Sequence, residues 1–220
     1  MYKNLAELAH AALTAASVAD TRVAPALPTR LDSANEAVVA DTCVRGNLGF
    51  ALLFHRRKDG LVAEELYFST REDDGTWAAA DHLSGGVTGI EPTTPHDVSA
   101  VLNGRSMMLC DESETNLFTG RPQADEGYEL LRFYALLVDL ETDYLDIGDT
   151  RPGADLVSSR THKELTSQVA LFALFPGESI TVQAIARKDS RPQALGEPYE
   201  LAGPDPVPKP ELPGWLADLD

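Results

Sequence analysis

The chain has 220 residues, of which 43% are hydrophobic, and its 18 Lys+Arg against 35 Asp+Glu give a formal net charge of −17. That apolar content fills a real core and excludes wholesale disorder. The scarcity of clustered basic residues excludes general affinity for nucleic acid or anionic membrane, and no apolar run is long enough for a spanning helix.

In chain order, Leu5, Leu8, Ala9, Ala12, Leu13 and Ala16 recur at spacings of three and four, which predicts an amphipathic helix. The segment carries Glu7 and His10 and is alanine-rich, a poor core for an export signal. It reads as the first helix of a cytoplasmic protein. Pro25 and Pro28 then punctuate a turn-rich connector, so 1–35 forms a helix-and-connector unit ahead of a β domain over 36–202.

Within that domain, the runs Leu48–His55 and Leu61–Phe68 flank Asp59-Gly60, a hairpin signal because both turn residues tolerate positive φ. A second turn is expected at Asp73-Asp74-Gly75, and a glycine-rich loop at His82–Gly86. Asn103-Gly104 between Val98–Leu102 and Arg105–Leu109 predicts a two-residue hairpin. Tyr128–Val138 reads as a central strand buried on both faces, though periodicity alone also admits a helix. Gln168–Phe175 and the alternating Ile180–Arg187 continue the pattern, and Leu195–Leu201 closes it. Short strands, frequent turns and no intervening helical stretches predict an all-β fold, an antiparallel β-sandwich of immunoglobulin-like or jelly-roll-like type preceded by one N-terminal helix. From 203 to 220 the composition turns proline-rich and predicts an extended C-terminal arm ending in Trp215, Leu216 and Leu219.

The segment Ser69–Trp77 (STREDDGTW) resembles the Asp-box of sialidase-like propellers. In that motif the aspartate and glycine shape a hairpin turn and the tryptophan packs beneath it. The resemblance covers nine residues, occurs once and is compressed by one position. It implies a structural turn rather than glycan chemistry.

Catalytic motifs are sparse. There is no HExxH, GxSxG, P-loop or GxGxxG, and the five histidines never fall at ligand spacing. Cys43 and Cys110 belong to no CxxC pair and read as small buried hydrophobes. The acids Asp139, Glu141, Asp143, Asp146 and Asp149 do not follow calcium-loop spacing, because Tyr144 and Thr150 stand where glycine and glutamate belong. No residue pattern calls for a metal or cofactor. The charge favours a non-enzymatic, immunity-like or accessory module that engages a basic protein or peptide. A homodimer through the helix or the C-terminal arm is compatible with two detachable termini. Trp77, His82 and Trp215 are the expected contact residues, since tryptophan is enriched at binding hot spots and His82 neighbours Trp77 in a glycine-rich segment. Two other classes fit the same features. One is a motif-poor β-barrel cyclase or isomerase with an enclosed apolar pocket; the other is a carbohydrate- or cation-binding lectin-like module.

Overall fold

The computed structural model describes residues 4–17, 30–32, 36–151, 160–189 and 191–206. Helix α1 (Leu5–Ser17) begins where Asn4 Oδ1 accepts the Glu7 N–H at 2.7 Å, a side-chain N-cap. Its apolar stripe, Leu8, Ala9, Ala12 and Leu13, is buried against the first sheet. The helix therefore spends that face within its own chain, and each leucine so buried contributes about 1.5–3 kcal/mol.

The first sheet contains β1 (Ala37–Arg45), β2 (Leu48–Arg56), β3 (Val62–Thr70) and β4 (Asp81–Val87), antiparallel and in that order. Helix α2 (Pro95–Leu102) follows. The second sheet, ordered β5-β6-β9, combines β5 (Met107–Phe118) and β6 (Tyr128–Val138) with β9 (Val169–Leu174). The third, ordered β11-β10-β7-β8, takes β7 (Tyr144–Asp149), β8 (Arg160–Glu164), β10 (Ser179–Lys188) and β11 (Arg191–Ala202).

The molecule is mostly β, with 55% of the described residues in strands against 12% in helices, and its layers follow from burial. One core lies between the first and second sheets, where Phe50 and Phe133 meet edge-to-face at 5.0 Å. Leu136, Val138 and Phe172 on the reverse face of β6 and β9 join Leu145, Val182 and Leu201 of the third sheet in a second core. Strands β6 and β9 thus sit at the centre, buried on both faces, which accounts for the near-continuous apolar runs of Tyr128–Val138 and Gln168–Phe175.

Two sequence expectations are corrected. Asn103-Gly104 closes a helix rather than a hairpin: Asn103 is left-handed (φ 47°), its N–H bonds to Ser99 O, and Gly104 follows at φ 82°. Both turn types need positive φ, and Pro95 at the start of α2 decides for the helix. His82–Gly86 is not a loop but lies inside strand β4. The sandwich-like arrangement is built from three antiparallel sheets. The Asp59-Gly60 hairpin and the Asp-box-like turn form as expected. Asp74 Oδ1 accepts from Thr76 N and Oγ1, and Trp77 packs beneath. The C-terminal arm beyond Pro206 lies outside the described residues.

Edge strands β1 and β9 of the first two sheets are fastened by side chains. A bulge at Ala40 shifts the register between Val39 and Asp41, and such a shift moves every subsequent side chain to the other face. Asp41 thereby turns into the seam, where its Oδ2 accepts the Leu171 N–H at 2.7 Å and pairs with Lys163 Nζ at 2.9 Å. Lys163 also donates to Thr42 O, and Arg45 donates to Ala173 O at 2.8 Å. Burial pushes the Asp41 carboxyl up, while Lys163 and the Leu171 N–H pull it back down. Removing this carboxylate leaves the buried Leu171 N–H without its acceptor and the Lys163 ammonium without its counter-charge. Asp41→Ala is expected to lower unfolding free energy by about 3–5 kcal/mol, measured by urea denaturation at neutral pH.

Candidate functional site

Opposite that seam, the same two sheets stand apart. Their edges there are β4 and β5, and between them opens a cavity of about 160 Å³. Leu52, Leu66, Phe133 and Leu171 supply apolar walls, while Glu64, Ser84, Asp111 and Ser113 bring polar groups to it.

Two further bulges build this site. In β5, Met107 and Leu109 face the third sheet, but the shift between Leu109 and Asp111 turns Asp111 and Ser113 to the other face, opposite Ala135 and Phe133. In β4, the shift at Leu66/Tyr67 leaves His82 opposite Tyr67 on the outer face and Ser84 opposite Leu66 on the inner one. Gly86 then lies opposite Glu64, and a Cβ built there meets nothing within 4 Å. Position 86 therefore has room for a side chain at the cavity mouth.

Glu64 is half-buried on the inner face of β3. Burial pushes its carboxyl up to about 7, and the two charges acting on it, Asp111 and Glu65, are both negative and push the same way. The Ser113 hydroxyl oxygen is buried beside it without a hydrogen-bond partner among the described residues. Such a group costs free energy until something meets it. Cys110, in the bulge, has its thiol raised to about 11, chiefly by burial and further by Glu64 and Asp111, so it is not a thiolate at neutral pH. Cys43 is also a free thiol raised by burial.

On the outer face of the same strands, Glu65 accepts from or pairs with His55 Nε2 at 3.1 Å and His82 Nε2 at 2.6 Å. Gly85 leaves room there for the Glu65 carboxylate, which a Cβ at that position would displace. Among the described residues no group of three His, Cys, Asp or Glu side chains converges to hold a metal ion. The acids after β6 have other partners: Asp139 caps the Glu141 N–H, Asp143 takes the Arg187 N–H, Asp146 meets Arg160, Asp149 meets Arg151 and Glu141 meets Lys188.

Of the three residues expected to make contacts, His82 is exposed on β4, one layer away from the cavity. Trp77, expected at the surface, is instead buried at 6% beneath α1. Its indole N–H donates to Ser17 Oγ at 2.8 Å and its ring lies against the Gly49 backbone. Trp215 lies outside the described residues. Sequence reasoning misses the cavity acids Glu64 and Asp111 as a pair. They are far apart in the chain, and the bulge that aims Asp111 inward leaves no mark in the hydrophobic pattern.

No family model, curated protein or solved structure matches the chain.

The raised ionisation of Glu64 carries a stability signature. Its folded value, about 7, lies above its ordinary 4.5, so the folded state holds the extra proton between those values and stability falls as pH rises through that window. Glu64→Gln removes the decline. The melting temperature of this variant is expected to match the parent near pH 4 and to exceed it increasingly up to about pH 8, read by scanning calorimetry.

Proposed function

We propose that this protein is a non-enzymatic acidic binding module that engages a basic segment of a protein or peptide partner at the mouth between β4 and β5. One observation carries the reading: Glu64 and Asp111 face a shared apolar-walled cavity, and the charges acting on Glu64 are all negative. A lysine or arginine from outside would supply the missing counter-charge, and the net charge of −17 would steer it there.

A second reading rests on Glu64 itself, because a carboxyl ionising near neutrality suits general acid–base catalysis. The cavity volume weighs against it. About 160 Å³ is close to the ~150 Å³ that accepts a single benzene ring, and below the ~300–1,000 Å³ of ordinary small-molecule sites. One inserted side chain fits that space better than a substrate to be cyclised.

The test is titration calorimetry with short lysine- and arginine-containing peptides at low and high salt. Binding is expected to weaken with salt, and Glu64→Gln or Asp111→Asn is expected to weaken it roughly 10–100-fold, the loss of one charge-assisted hydrogen bond. Equal affinity of both variants and the parent for every basic peptide would overturn the reading.

A further inference from the structure

Resting on that reading, we infer that the basic partner binds as an extended strand added to the free edge of β4, with a lysine side chain passing over Gly86 into the cavity between Glu64 and Asp111.

Among the described residues, strand β4 pairs with β3 on one side and is the terminal strand of its sheet. Its outer row of backbone N–H and C=O groups is a template for another strand. Natural edges are commonly guarded by lysine, proline or a covering element. The sequence of β4, DHLSGGV, holds neither lysine nor proline, and most of its residues are exposed. Both edges at the mouth carry one bulge, at Leu83 in β4 and at Cys110 in β5, but only β4 brings a glycine to the cavity, whereas β5 brings the side chains of Asp111 and Ser113.

The register supplies the rest. Gly86 is directly opposite Glu64 and faces the cavity, with empty space where its Cβ would be. A residue of an added strand beside Gly86 would share that inward face, two strand spacings, or about 9.6 Å, from the β3 backbone. A lysine stem extending inward and a glutamate extending outward meet within that span. The walls, Leu52, Leu66 and Phe133, take the methylenes, and the ammonium can donate to Glu64, Asp111 and the unpartnered Ser113 oxygen. Charge selects the occupant: a second copy of this chain would bring a further net −17 to an already acidic mouth, whereas a basic segment neutralises it.

The probe is a blocked peptide of alternating threonine and valine with one central lysine, titrated against the full chain. Its companions carry norleucine in place of lysine, or N-methyl groups along one backbone edge. The norleucine and N-methylated peptides are each expected to bind at least about tenfold more weakly than the lysine peptide. Gly86→Leu and Gly86→Val, which occupy the open space, should reduce lysine-peptide binding by a similar factor with an unchanged melting temperature. Amide chemical-shift changes should concentrate in β4. Binding that depends on Glu64 and Asp111 but is indifferent to N-methylation and to both Gly86 variants would overturn the added strand alone. Absence of binding by any basic peptide would overturn this inference and the proposed function together. Sedimentation as a dimer that Gly86→Leu dissolves would make a second copy the occupant, contrary to the inference.

Discussion

The buried bond from the Asp41 carboxylate to the Leu171 N–H, with Lys163 alongside, holds the first two sheets together along one side. Among the described residues, both sheets end there in strands with no regular ladder on their outer side. A carboxylate and an ammonium do the joining instead, and Arg45 repeats the device two rungs on by reaching Ala173 O and pairing with Glu178. A buried charge is tolerated when it is paired and hydrogen-bonded, and Asp41 is both. The central strands β6 and β9 can then be covered on both faces, by the first sheet on one side and the third on the other.

The opposite side of the same sandwich has the same problem without the same solution. Glu64 also points between the two sheets, yet the charges acting on it are those of other carboxylates, and it answers burial by holding its proton up to about neutral pH. The nearby Ser113 oxygen is likewise unmet among the described residues. Packing alone does not require an acid at this place, since its neighbours Val62, Leu66 and Phe68 on the same face belong to the apolar core. An acid that destabilises the isolated fold and faces an open mouth is best understood through what it can bind. That contrast between a satisfied and an unsatisfied inward carboxylate underlies the functional proposal.

Much of the architecture is legible in the sequence. The helix stripe from Leu5 to Ala16, the Asp59-Gly60 hairpin and the long apolar run of β6 each carry a local signal that survives into the structure. Asn103-Gly104 misleads because the same positive-φ pair serves a hairpin and a helix end, and only the preceding Pro95 separates them. The site is harder to see for a specific reason. Three bulges, at Ala40, Leu83 and Cys110, each insert one residue and reverse the inside–outside parity of the rest of their strand. Alternation read along β5 without its bulge sends Asp111 and Ser113 to the face of Met107 and Leu109, away from the cavity. Trp77 is prominent by composition, and its burial under α1 depends on a distant contact with Ser17 and Gly49 that no local pattern encodes.

The claim that Glu64 awaits a cation from outside the chain is tested most directly by its ionisation. The side-chain carboxyl carbon shift would be followed by NMR across the pH range, first for the free protein and then with the lysine peptide at saturation. The free protein should titrate near 7, well above the ordinary 4.5, and the bound form should titrate far lower as the ammonium stabilises the charged carboxylate. A free value at the ordinary position, or a raised value that the peptide leaves unmoved, would contradict that claim.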